Sequence, residues 1–512
     1  MNAAADRPVV RTESGAVRGF WEDWVSRDGG TSRSARFLGI PYAEPPVGDL
    51  RFLAPAPRAA WSGVRDAVAH GATPQRWSPY GDDPFVPEPS IPGDDLLSID
   101  VGTPDPSADV GLPVLVYIHG GGFVGGSHAS PWYQGHAFHR DGVVTVAFSY
   151  RLGYDGFGWI DGAPHNRGVL DWMAALAWVQ RNIRAFGGDP SRVTIAGQSA
   201  GGAAVMRLLT MPAARGLFAG ALALSPADTM MTVDDARRIA ERGARGLGVT
   251  PDLDGMRAVP ERTIIAAQDS FGAEQGEPFA GIFTGPDLFL SPAIDGDLIP
   301  EGVAEALASG VGDDVALLVG ATAHEFNHVT GGSAEALADV SAAELLTRAG
   351  LPEELHAALI ARSPRAGITD IAGQAMTDAV FRRHVARWAD LRARGGAAER
   401  TWAYDFRWCS PMPDLGLAVH CLDLPFGFDI LNDDVAVRRC GEDAPQELAD
   451  AVHGDWLTLI ETGRVEASAH AADHATVFYG DPDRGESRVE APGYAQERVL
   501  AEATTPAIPA DV

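Results

Sequence analysis

Six residues, Gly197-Gln198-Ser199-Ala200-Gly201-Gly202, carry the strongest chemical signal in the chain. They match the pattern G-x-S-x-G, with the strand-like run VTIAG (193–197) leading in and a helical run from Ser199 to Leu209 leading out. A serine on so sharp a strand-to-helix turn is lifted above its sheet, and the flanking glycines let backbone and helix approach closely. The first turn of the helix aims N–H groups and positive dipole at a developing oxyanion. The pattern by itself also fits a glycine-rich turn without chemistry, so a second feature must decide.

That feature is His119-Gly120-Gly121-Gly122-Phe123, directly after the apolar run at 113–118. Glycines present backbone N–H groups with no Cβ in the way, and an H-G-G-G loop upstream of G-x-S-x-G builds the oxyanion hole of α/β-hydrolases. A phosphate-binding loop would need a lysine, and the sequence contains none: all 40 basic residues are arginine. The same absence excludes a pyridoxal Schiff base, a kinase ATP site and a Ser-x-x-Lys hydrolase. The G-x-G-x-x-G spacing of a dinucleotide site is missing as well.

These residues need a scaffold, and the surrounding pattern supplies one. Apolar runs at 113–120, 143–150, 193–197, 217–225, 315–320 and 401–406 alternate with helical stretches. From Asn166 to Phe186 the apolar residues Val169, Leu170, Met173, Leu176, Val179 and Ile183 recur at helical spacing until Gly187-Gly188-Asp189-Pro190 stops them. Strands separated by helices predict a mostly parallel sheet covered on both faces. The expectation is a single α/β unit over residues 7–505, with mostly helical insertions at about 228–312 and 333–400 and a flexible tail at 506–512.

Composition narrows the partners. The 512 residues are 46% hydrophobic and 21% charged, enough for a sizeable core. A net charge of -29 repels phosphate, so nucleic acid and anionic membranes are not expected as partners. The N-terminus lacks the basic and apolar regions of a signal peptide, and no run is long and apolar enough to span a bilayer. Cys409, Cys421 and Cys440 are odd in number and lack paired C-x-x-C spacing, which reads as reduced thiols. A cytoplasmic protein is the expectation. Oligomeric state is not legible.

With these motifs in hand, the chain resembles the type-B carboxylesterase family, the group of cholinesterases and bacterial para-nitrobenzyl esterases. The resemblance runs through most of the chain: Phe37 to Pro46 followed by Leu50-Arg51-Phe52, Tyr150-Arg151-Leu152-Gly153, Asn166-Arg167-Gly168 through Pro190, and Asp295 to Pro300. It departs at Gln198, where the family often has an acidic residue. It departs again at Asp94-Asp95-Leu96-Leu97, where the family often carries a cysteine, and at Phe326, where it usually has glycine.

The resemblance implies the α/β-hydrolase fold and a serine carboxylesterase that needs no cofactor and no metal. Its acid loop is similar to Ala321-Thr322-Ala323-His324-Glu325, after the run at 315–320, which selects Glu325. Its histidine loop resembles Leu417 to Phe426, which selects His420 over His356, His384 and His453, all on helical stretches. Ser199 is then the nucleophile. Gly121, Gly122 and Ala200 bind the oxyanion, and Ser225 resembles a second serine supporting the acid–histidine pair. The expected substrate is a small-molecule carboxylic ester. Aryl carbamate or amide cleavage by the same triad stays open.

Two other classes fit parts of the sequence less well. His324-Glu325-Phe326-Asn327-His328 matches H-E-x-x-H, the zinc-protease pattern, with Glu344 conceivable as a third ligand. A strand-like run and Gly320 before it, and Gly331-Gly332 after it, argue against the regular helix that this chemistry needs. A non-catalytic, cholinesterase-like binding module would have lost a triad member, and here none is missing.

Overall fold

The computed structural model describes residues 7–504, except 28, 77–83, 229–230, 273–289, 329–333, 350, 366 and 472. The tail at 506–512 and Gly331-Gly332 lie outside the described residues. Eleven strands form one sheet: Phe20–Val25 (β1), Thr31–Pro41 (β2), Ser98–Thr103 (β3), Leu112–Ile118 (β4), Val144–Phe148 (β5), Gly188–Gln198 (β6), Gly220–Leu224 (β7), Ala316–Thr322 (β8), Thr401–Phe406 (β9), Ala475–Asp481 (β10) and Glu486–Pro492 (β11). Their order across the sheet is β11-β10-β9-β8-β7-β6-β4-β5-β3-β2-β1. All pairings from β5 to β10 are parallel, and those at the two margins are antiparallel.

The sheet has a core on each face, and residue alternation shows why. Val114, Val116 and Ile118 of β4 join one apolar cluster, while Leu115 and Tyr117 join the other. In β8, Leu317 and Val319 face one side and Leu318 the other. Strands buried on both faces therefore read as continuous apolar runs. The margins instead carry charge, as in FWEDWV of β1 and ESRVEAP of β11, which blunts edge-to-edge pairing.

Helix α1 (Arg167–Asn182) buries Val169, Trp172, Leu176 and Val179 on one stripe and ends through a 3-10 turn at Gly187, φ 88°. Its buried Asp171 receives two hydrogen bonds from the Arg151 side chain, at 2.8 and 2.7 Å, so neither charge is left unpaired. Helix α2 (Ala200–Thr210) is buried along its whole length. Helix α3 (Arg383–Arg394) packs on β8 and β9, and helix α4 (Gln446–Thr462) crosses behind β4, β6 and β7. The 228–312 stretch is not purely helical: Met231–Thr232 and Ala293–Ile294 pair as a small parallel sheet. Strand β6 also starts earlier than its apolar run, at Gly188, because Leu112 pairs with Gly188 across an irregular register. No helix among the described residues is long and apolar enough to cross a membrane. All three cysteines are free.

Candidate active site

Ser199 sits between the last residue of β6 and the first of α2 with φ 60° and ψ -122°. A non-glycine residue in that region costs about 1–3 kcal/mol and persists only when its surroundings over-determine it. Here they do. The Ser199 N–H donates to the Leu224 carbonyl of β7 at 2.9 Å, and the Ser199 carbonyl accepts from Ala203 N–H at 2.8 Å. A Cβ on Gly202 would lie 2.6 Å from the Leu224 carbonyl oxygen, and one on Gly197 would lie 2.8 Å from that of Ile118. Glycine at these positions is what lets three backbones meet behind the serine.

The loop after β4 is braced in the same way. His119 stacks on Tyr150 at 4.4 Å, and Tyr150 Oη donates to the His119 carbonyl at 2.8 Å. Burial holds the His119 imidazole down at about 3, so it is neutral and its Nδ1–H donates to the Gly120 carbonyl at 2.8 Å. Gly121 and Gly122 have φ 110° and 62°. Their N–H groups donate to no backbone or side-chain acceptor among the described residues. Ala200 opens α2, where the first N–H groups have no partner within the helix.

Opposite the serine, β8 delivers Glu325 in a turn just past its end. The carboxylate is fully buried. One oxygen accepts the Thr322 N–H at 2.8 Å, and the other meets Nδ1 of His420 in a short hydrogen bond. The backbones join as well, His420 N–H donating to the Glu325 carbonyl at 3.0 Å. Phe326, at the family's usual glycine position, packs edge-on against the His420 ring at 5.0 Å. Phe381 packs on it too, from a π-helical turn at Asp378–Arg382.

No hydrogen bond joins Ser199 to His420 in this arrangement. The Gln198 side-chain amide instead faces His420 Nε2 at 3.1 Å. With Nδ1 turned to a carboxylate, the neutral ring carries its lone pair on Nε2, so the amide donates to it. Ser225 follows β7 fully buried, at φ 45°, but its hydroxyl has no hydrogen-bond partner and so bonds neither Glu325 nor His420. A residue with no assigned role in the sequence lies closer by charge. Asp423 is fully buried and accepts a hydrogen bond from Tyr404 Oη at 2.9 Å. Burial first, then the Glu325 carboxylate, push its carboxyl up to about 7.

The HEFNH residues lie in turns rather than a helix, and Glu325 is committed to Thr322 and His420. Glu344 sits in the first turn of a separate helix, capped by Ser341, and pairs with Arg348. The zinc-protease geometry is therefore not formed. The rejected histidines have other partners: His356 bonds the Leu351 carbonyl, and His453 bonds Gly427 and Asp141. His384 contacts Arg383.

Ser199 and His420 open into a cavity lined by Phe85, Glu88, Tyr133, Phe326, His328 and Cys421. The aromatics Trp132, Phe426 and Phe428 do not line it and are fully buried core residues.

Comparison with known proteins identifies the family. A model of the carboxylesterase family matches residues 6–467. The para-nitrobenzyl esterase of Bacillus subtilis is 34% identical over 90% of this chain and 91% of its own length. A phenmedipham hydrolase of Pseudarthrobacter oxydans is 32% identical over 93% and 95%. A carboxylesterase structure from Geobacillus stearothermophilus superposes with a TM-score of 0.80 at 30% identity, over 96% of this chain and 99% of that one. Matched at this length, the chain belongs to the carboxylesterase family: it is a carboxylic ester hydrolase with the α/β-hydrolase fold.

Proposed function

We propose that hydrolysis runs through an acyl-enzyme on Ser199, with His420 as base and Glu325 as its acid partner. The observation that carries this reading is the buried Glu325–His420 hydrogen bond beside a serine held in a strained turn. Glu325 fixes the proton on Nδ1, which leaves Nε2 free of a proton and able to accept one. For reaction the Gln198 amide yields the Nε2 lone pair to the Ser199 hydroxyl. Oγ then attacks the ester carbonyl as its proton passes to Nε2. The oxyanion is bound by the N–H groups of Gly121, Gly122 and Ala200, each such donor being worth about 10²–10³ in rate. The imidazolium returns its proton to the leaving alcohol, and water repeats the sequence to release the acid.

Substrates are small esters that fit a largely apolar cavity, with para-nitrobenzyl and p-nitrophenyl esters as first probes because one relative is named for the former. The whole of 7–505 is read as one catalytic unit, working in the cytoplasm with its three free thiols. Labelling decides the nucleophile. An organophosphate or sulfonyl fluoride should modify Ser199 stoichiometrically, and Ser199→Ala should lose both labelling and turnover while keeping its circular dichroism and Tm. Turnover retained in Ser199→Ala would end the reading.

A further inference from the structure

Two clusters outside the catalytic site bring two imidazoles to one carboxylate: His70, Asp100 and His128, and Asp390, His470 and His474. They differ in what their nitrogens already do. His470 is saturated, with Nδ1 on the Ala475 carbonyl at 3.0 Å and Nε2 on Asp390 at 2.9 Å. His128 is buried, yet neither of its ring nitrogens has a hydrogen-bond partner. Two orphaned nitrogens inside a protein require an explanation, since each costs about 1–3 kcal/mol unless something binds it.

We propose that His70, Asp100 and His128 form a binding site for a divalent first-row metal ion such as zinc. His70 Nδ1 lies 2.6 Å and His128 Nε2 3.5 Å from the same oxygen, Oδ2, of Asp100. Ligand atoms about 2.0–2.1 Å from a tetrahedral zinc lie about 3.3 Å apart, so small shifts admit the ion. The other carboxylate oxygen accepts the Gly39 N–H at 2.7 Å, which turns Oδ2 toward the histidines. A small cavity touches all three residues and also Ser130 and Tyr133. Arg36 lines the same cavity, but its charge is met by Glu22 at 3.1 Å. His70 is only half-buried, which gives the ion an entry path.

The three ligands come from the chain before β3, from β3 itself and from the segment that follows Gly121 and Gly122. The ion would clamp the glycine loop's exit to the sheet, a structural role distinct from ester cleavage. Chelator-treated wild-type protein dialysed against zinc should retain one ion per chain by elemental analysis and gain Tm. Cobalt in its place should give the visible absorption of a tetrahedral nitrogen–oxygen site. His128→Ala and Asp100→Asn should weaken binding at least about tenfold. His70→Ala, at the half-buried position, keeps the test open if buried Asp100→Asn fails to fold, and it should keep wild-type turnover on p-nitrophenyl esters. His474→Ala should bind as wild type. Sub-stoichiometric zinc with unchanged Tm, or zinc lost with His474→Ala and kept in the three ligand variants, would overturn the site.

Discussion

The two halves of the catalytic site are built in opposite ways. The serine half is local: Gly197 to Gly202 contains the strand end, the strained residue and the helix start, and its neighbours are backbone atoms of β4 and β7. The acid–histidine half joins Glu325 to His420 across 95 residues, and Phe326, Phe381 and Asp423 complete its surroundings. A local device is set by sterics that only glycine satisfies. A long-range device is set by burial, which no short motif records.

If that contrast holds, damage to the distant half should strike the chemistry and spare the fold. Glu325→Gln is the sharpest case and the largest expected effect. The amide oxygen still accepts the Thr322 N–H, so folding is retained. Its NH2 then faces His420 Nδ1 and draws the lone pair there, which puts the proton on Nε2, where it blocks acceptance from Ser199. We expect kcat to fall by about 10⁴ with Tm nearly unchanged. A comparable loss of Tm would mean that this half is structural as well.

What could be read from sequence follows the same division. The runs that became β4 to β9 were legible because strands buried on both faces are continuously apolar. The elbow was legible because its glycines carry its geometry. Strands β10 and β11 were not foreseen, since β11 is largely polar at an exposed margin and β10 leads into it as an antiparallel pair instead of into a helix. Glu325 and His420 came from resemblance, and the structure brings them together. Ser225 was expected beside them, yet its hydroxyl has no partner. Asp423 was present in the quoted histidine loop without any sign of its role, because only folding removes its water and sets it near Glu325. The same is true of Gln198 meeting His420, 222 residues away.

Gln198 is where the two halves touch, and its replacement sharpens the comparison. Its amide donates to a neutral Nε2. A carboxylate there has nothing to donate and attracts an imidazolium instead. In Gln198→Glu the fall of kcat/KM on acidification should therefore begin at higher pH than in wild type, with a smaller loss near pH 8. Superimposable pH profiles would show that the amide does not act on the base.

The smallest effect is expected at Asp423, and it is read in stability. A carboxyl held up to about 7 in the folded state binds its proton more tightly there than in the unfolded chain, where its value is about 4. Between those values the folded state holds the extra proton, so stability falls as pH rises from about 4 to about 7 and levels off above. Asp423→Asn removes that titration. The carboxamide oxygen can still accept Tyr404 Oη. Its NH2 lies toward the side where Asp423 Oδ1 has no partner, which costs stability by the same amount at every pH. The absolute Tm of the variant therefore decides little. The difference between variant and wild type does decide, and it should shift in the variant's favour by up to a few kcal/mol across that window. Denaturant unfolding at pH 5 and pH 8 measures it. Parallel stability curves would show that Asp423 is already ionised in the folded protein, and that Glu325 shares its surroundings with a second buried negative charge.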